Sequence, residues 1–464
     1  VRHEKDDEAI MLIPSVGGVE RKLAKVKGRA GLAWTPDGKW LAFSQEDSQY
    51  LRSLWAISVE AGDRRRLTTV VTKAGGSEFP LGDTWPSFSP DGRSVAFARQ
   101  LSLYNVKLFV LPLTKDLQPI GEPTPVTDRS YATINGIAWT ANSRELVYSA
   151  GGVRVASLWR VPVSGGSPKH LAYQAGALYP AISGTPPRLV YNVWNYNMNI
   201  WRLDVRTGET RQLISSPYNS GRPEYSRDGR KIAFQSDRSG NMEVWTCEAE
   251  GTNCLQLSKF DGPQCGSPSW SPDGQWLALD SYVDGKPQIY VIAADGGAPR
   301  RITNDPASDL VPTWSSDGSW IYFSSDRTGR YEIWKTPKDG GDAVRVTLSG
   351  GYYYAAESPD GKYLYHMKLG QPGIFRTPAA GGEDVTVVAN ASQFYFSLTS
   401  KGLYFAVPGM IQFLDTTTNK ISTLMSSDKM APASGLTGSP DDSYVTWAQV
   451  DKNSWNLMLV DGFR

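Results

Sequence analysis

A unit of about 45 residues recurs along this chain, and the stretch WSSDGSWIYFSSDRTGRYEIWKTPKDGGDAVRVT, beginning at Trp314 and ending at Thr347, contains all of its parts. Trp314 closes a short strand and Ser315-Ser316-Asp317-Gly318 is a turn. From Trp320 to Ser324 large apolar and smaller residues alternate at period two, the pattern of a half-buried strand. A second turn at Ser325-Asp326-Arg327-Thr328-Gly329 leads into a strand at Tyr331–Lys335. Gly340-Gly341 then turns the chain into a fourth strand, Ala343–Thr347. Four antiparallel strands in a repeat of this length predict an all-β fold, a β-propeller built from four-stranded antiparallel blades.

The turn between the first two strands comes back as Ser-Pro-Asp-Gly or a variant of it. Pro presets φ, Asp bonds to nearby backbone amides, and Gly accepts positive φ. Asp37, Asp91, Asp228, Asp273, Asp317 and Asp360 are therefore expected in exposed hairpins as turn residues rather than as ligands. Ten copies run from Asp37 to Asp441; the spacing is 54 and then 51 residues at the start and settles at 45, 44 and 43 from Asp228 to Asp360. Rings at Trp55, Phe109, Trp159, Trp201, Trp245, Tyr290, Trp334 and Phe375 recur at one position of the third strand and are expected in the core. Helix should account for less than about a tenth of the chain.

Ten blades exceed the usual four to eight of a single ring. Two propellers are expected: residues 1–214, holding a half blade and four blades that read as truncated upstream, and residues 215–464, a six-bladed propeller. The last copy has strands at Tyr444–Val450 and Asn456–Val460 and no fourth strand, so its closure needs a segment from elsewhere.

Bulk composition narrows the function classes. With 48 basic and 47 acidic residues, the net charge of +1 gives no reason to expect nucleic acid as a partner. No run of 18 apolar residues occurs, so membrane insertion by this segment is not expected. Three cysteines cannot form a disulfide scaffold, but Cys247 and Cys254 flank the turn at Glu250-Gly251, so a disulfide and two buried thiols are both open readings. No Gly-x-Ser-x-Gly elbow, Walker loop, Gly-x-Gly-x-x-Gly or His-Glu-x-x-His is present. His3, His170 and His366 stand on different blades. Asp305 and Asp309 lack the alternating spacing of a calcium loop. Neither a catalytic residue, a metal nor a cofactor is expected.

The Ser-Pro-Asp-Gly turns, the Ser-Asp-Arg-x-Gly hairpins at Ser236–Gly240 and Ser325–Gly329, and the Ile-Trp third strands resemble the TolB-like propeller repeats over nearly the whole chain. The order of segments from Trp34 to Arg464 also looks like the C-terminal propeller region of bacterial winged-helix regulators of the ToxR/CadC kind. That resemblance implies a sensing or binding module whose parent chain carries a winged helix, and a periplasmic or otherwise extracytoplasmic location, the cytoplasm being the alternative. Similar repeats gate peptidases of the prolyl oligopeptidase class. The expected function is a non-catalytic module for protein, peptide or glycan partners; the alternatives are a substrate-gating propeller and a structural assembly subunit.

In a propeller, the loop entering the first strand of each blade reaches the axial mouth. Aligned on the Pro-x-aromatic segment, the copies select Trp85, Tyr179, Arg222, Tyr354 and Tyr395 as binding residues, with Asp83, Cys265 and Asp309 two residues further back. Tyr, Trp and Arg are the side chains that carry binding energy at interfaces.

Overall fold

The computed structural model describes residues 2–4, 7–27, 31–47, 51–70, 81–102, 105–128, 130–131, 133–152, 155–173, 176–183, 186–260, 264–283, 286–392, 396–427 and 432–463. Every regular element among them is a β-strand. Two compact units result, residues 1–195 with 454–464, and residues 196–453.

Residues 196–453 form a closed ring of six four-stranded sheets. Five are local in sequence, with innermost strands Ser220–Tyr225, Cys265–Trp270, Asp309–Trp314, Tyr352–Glu357 and Phe396–Leu398. The sixth begins with Pro432–Gly438 and continues outward through residues 444–453, residues 196–204 and Thr210–Ile214. Each innermost strand packs against the next, and Pro432–Gly438 packs against Ser220–Tyr225, which closes the ring. The segment that completes the last copy thus lies well upstream, at residues 196–214. Side chains hold the join: Asp451 accepts hydrogen bonds from Asn199 Nδ2 (2.7 Å), Trp201 Nε1 (3.0 Å) and Gln212 Nε2 (2.8 Å). A boundary at 214 and one at 195 differ for this reason, since strand pairing across the closing sheet outweighs sequence adjacency.

The other unit has four blades with innermost strands Leu32–Trp34, Leu81–Phe88, Thr133–Trp139 and Ala177–Ser183, packed in that order, the first two blades sharing one eight-stranded sheet. Three further strands, Arg2–Glu4, Asp7–Leu12 and Arg21–Val26, cover its first sheet through Ile10, Ala24 and Val26 against Leu41, Phe43 and Ile57. Its fourth sheet takes residues 454–461 as an outer strand, where Met458, Val460 and Phe463 pack on Leu189, Tyr191 and Val193. Leu51 and Arg52 pair in parallel with Leu81 and Gly82. A Cβ on Gly82 (φ 109°) would sit 2.2 Å from the Arg52 carbonyl, so only glycine fits that join.

The repeated turn is tighter than Pro and Gly alone require. Ser or Thr donates its hydroxyl to the Asp carboxylate two residues on, at 2.5–2.6 Å for Thr35, Ser89, Ser226, Ser271, Ser315, Ser358 and Ser439. The same carboxylate accepts a backbone N–H, as Asp317 does from Ser319 (2.9 Å), and the hydroxyl accepts one from the next strand, as Ser315 does from Trp320 (2.9 Å). These bonds hold Asp37, Asp91, Asp228, Asp273, Asp317, Asp360 and Asp441 below the ordinary carboxylate range.

The third-strand rings are less deeply buried than a core position implies. Tyr290 and Phe375 are buried, whereas Trp55, Phe109, Trp159, Trp201, Trp245 and Trp334 are half-buried. Several carry a cation on the outer face: Arg66 over Trp55 (5.8 Å), Arg99 over Phe109 (5.0 Å), Arg238 over Trp245 (5.0 Å) and Arg327 over Trp334 (4.7 Å). Arg238 and Arg327 are the arginines of the Ser-Asp-Arg-x-Gly hairpins, so that motif caps its own blade.

Candidate functional site

One irregularity recurs within six of the innermost strands. The pairing with the second strand breaks at Thr84/Ser87, Leu178/Ala181, Gly221/Glu224, Gly266/Ser269, Leu310/Thr313 and Tyr352/Ala355. At each break one non-glycine residue has left-handed backbone: Trp85, Tyr179, Arg222, Ser267, Val311 and Tyr353, with φ between 50° and 66°. A bulge re-aims the side chain it carries. In all but the last, proline follows and supplies no N–H to be left unpaired. Each such residue costs roughly 1–2 kcal/mol relative to ordinary backbone.

In residues 196–453 this geometry builds an axial mouth. The Arg222 guanidinium lies over the Tyr353 ring at 5.1 Å, although the two stand on the first and fourth sheets of the ring. Beside them, buried Asp280 accepts hydrogen bonds from Ser267 Oγ (3.0 Å) and the Val311 N–H (2.8 Å). Burial raises its pKa, and the Arg222 charge opposes that shift. Gln235 presents Oε1 to the Ser267 N–H at 3.3 Å. Glu224, two residues past Arg222, accepts from Ser269 Oγ (3.2 Å) and the Trp270 N–H (3.0 Å). Desolvation lifts its carboxyl to about 7. A cation, a neutralisable acid and hydroxyl and amide groups can together recognise a polar chain end or side chain, while no set of three or more His, Cys, Asp or Glu residues that could hold a metal occurs among the described residues.

The remaining expected residues are placed as follows. Trp85 and Tyr179 occupy the equivalent positions of the other unit, with ring centroids 5.2 Å apart. Asp83 and Asp309 are fully buried: Arg99 clamps Asp83 (2.6 and 2.9 Å) and Arg327 clamps Asp309 (3.1 Å to each oxygen). Cys265 is a buried thiol whose pKa is raised by burial. Tyr354 packs edge-on against Phe396 (5.0 Å) as part of a hydrophobic cluster. Burial raises the Tyr354 pKa, as does the charge of nearby Glu224. Tyr395 lies outside the described residues. Cys247 and Cys254 form a disulfide. Among the histidines, His366 is buried with Nε2 3.0 Å from Asp384, the His170 ring lies tilted against Trp159 (4.9 Å between centroids), and the side chain of His3 lies outside the described residues.

Sequence reasoning missed Tyr353, Asp280, Gln235 and Glu224. Tyr353 escaped because Tyr354 follows it where the other bulge residues are followed by proline, and one more residue separates it from the Ser-Pro-Asp-Gly turn, so counting back from that turn lands one residue late. The missing proline was the available signal. Asp280 and Gln235 project from second strands, which an alignment of entry loops does not sample.

Residues 255–393 match the PD40 family, the TolB beta propeller domain. An uncharacterized protein of Agrobacterium fabrum is 38% identical over 210 residues, 42% of this chain and 65% of that protein. The Tol-Pal system protein TolB of Desulfosudis oleivorans is 41% identical over 61 residues, 13% of this chain and 14% of that protein. The chain therefore spans less than two thirds of either relative. Among solved structures, TolB from Acinetobacter baumannii aligns over 80% of this chain and 83% of its own at 15% identity, with a TM-score of 0.39. The sheets described above, together with the match at 255–393, make this an all-β chain with TolB-like β-propeller repeats.

Proposed function

We propose that the chain is a non-catalytic β-propeller binding module that receives a protein or peptide segment at the axial mouth of residues 196–453. The observation that carries this reading is Arg222. It is held in strained left-handed backbone at a position where glycine would relax, and it reaches across the ring to Tyr353. Strain kept at a charged, inward-aimed side chain fits a recognition role better than a packing role. Asp280, Gln235 and Ser267 supply directional partners for main-chain amides, and Tyr353 supplies a flat surface that Arg222 uncovers when it turns to an incoming carboxylate. The Cys247–Cys254 disulfide supports an extracytoplasmic setting, where such a bond persists. In that setting the module would serve as the sensing part of a longer regulator with a winged helix.

Selection of a displayed peptide library on the wild-type chain, with counter-selection on Arg222→Ala, tests this. Peptides carrying an acidic group should emerge and bind the variant at least tenfold more weakly, about 1.4 kcal/mol. Recovery of only those peptides that bind both chains equally would remove the proposal.

A further inference from the structure

The unit formed by residues 1–195 and 454–464 carries a row of four aromatic side chains that the peptide reading leaves unused. Trp85 and Tyr179 have ring centroids 5.2 Å apart, Tyr179 and Trp455 are 6.4 Å apart with planes 20° from parallel, and Trp455 and Trp194 are 5.4 Å apart with planes 5° from parallel. The row is open to solvent: Tyr179 is 38% exposed and Trp455 50%. Two of its members are held in left-handed backbone, Trp85 at φ 55° and Tyr179 at φ 53°. In the sheet between them the same position is glycine, Gly136, where an added Cβ would come within 2.8 Å of the Tyr179 α-carbon. That glycine lets the Tyr179 backbone approach closely.

An amide stands on the adjoining strand. Asn192 stands two residues from Trp194, on the same half-buried face of its strand, and directly opposite Leu178, the neighbour of Tyr179. The Tyr179 phenol adds a hydroxyl that both donates and accepts. Partly exposed rings in an unbroken row, with Trp455 half open to solvent, mark a binding surface rather than a core.

From these features we infer that the row is a subsite for a neutral oligosaccharide. The apolar faces of pyranose rings, lined with C–H bonds, match successive aromatic surfaces. Sugar hydroxyls pair with an amide such as Asn192, which donates and accepts at once. Recognition of this kind needs no charge, in contrast to the Arg222 mouth, and rests on a different unit, so the two readings stand or fall separately.

Titration of the full chain with cellotetraose and with chitotetraose, followed by tryptophan fluorescence and calorimetry, decides the matter. At least one sugar should bind saturably and quench fluorescence. Trp455→Ala and Tyr179→Gly should each weaken it at least tenfold without lowering the thermal midpoint, and Trp455→Phe should retain most of the affinity. Tyr179→Gly keeps the test sharp, because it relaxes left-handed backbone instead of opening a packed core. Arg222→Ala should leave sugar binding unchanged while weakening peptide binding at least tenfold. The inference is overturned by no saturable binding of either sugar, by affinity that survives Trp455→Ala, or by a proline decapeptide occupying the row in place of the sugars.

Discussion

Two adjacent tyrosines show how one residue of register separates a recognition side chain from a core one. Tyr353 carries the left-handed φ and faces Arg222, whereas Tyr354 packs on Phe396 among Tyr365, Met367, Ile374 and Phe405. Tyr354→Ala should therefore destabilise the chain by about 3 kcal/mol, the usual scale for losing a packed ring. Tyr353→Ala should leave the denaturation midpoint nearly unchanged, and chemical denaturation of both variants distinguishes the roles. Glu224 allows a pH test. Desolvation holds its folded pKa at about 7, above the ordinary glutamate value of 4.5, so the folded state binds the proton more tightly than the unfolded state does. Stability is favoured below pH 4.5 and declines as pH rises from 4.5 through 7, after which this contribution is flat. Glu224→Gln keeps an acceptor for Ser269 and the Trp270 N–H and removes the charge. Its thermal midpoint should exceed wild type at pH 8, by an amount equivalent to roughly 3 kcal/mol, and the gap should close toward pH 5. A constant gap at both pH values would show that Glu224 is not the titrating group.

Among elements, the hairpins were the most legible in the sequence, because their chemistry is local. Ser-Pro-Asp-Gly declares both a turn and its hydrogen bonds, and the structure adds only that the serine hydroxyl ties the Asp in place. Cys247 and Cys254 were readable as a pair for the same reason: they stand across one turn and are joined. Reduction, or Cys247→Ser with Cys254→Ser, should lower stability by about 2 kcal/mol, the value expected for closing a short loop. Equal midpoints with and without reductant would show that the bond adds nothing to stability. The half-burial of the third-strand tryptophans was not legible, since a ring repeated at one position reads as core whether or not an arginine covers its outer face. The arginines that cover Trp245 and Trp334 sit in the motif that appeared to be only a turn. The mouth was partly legible: Arg222 follows from the Pro-x-aromatic spacing, while Asp280 and Gln235 come from strands whose inward direction depends on the ring being closed.

Across the molecule, closure of the ring at residues 196–453 depends on strands distant in sequence, which no local pattern reports. Residues 196–204 pair with residues 444–453 and carry Thr210–Ile214 on their other edge, and Tyr225 OH meets Thr446 Oγ1 at 2.9 Å where the first and last sheets adjoin. That closure brings Arg222 of the first sheet within reach of Tyr353 on the fourth, so the binding surface is a property of the whole ring and not of any blade. The direct measurement is a paired readout on Arg222→Gly in the full chain: the thermal midpoint, and the affinity for an acidic peptide selected on wild type. Glycine at φ 50° removes strain together with the guanidinium. The account predicts a midpoint equal to or above wild type and an affinity at least tenfold weaker. Undiminished affinity, or a midpoint several degrees lower, would contradict it by showing that Arg222 holds the ring together instead of reading what enters it.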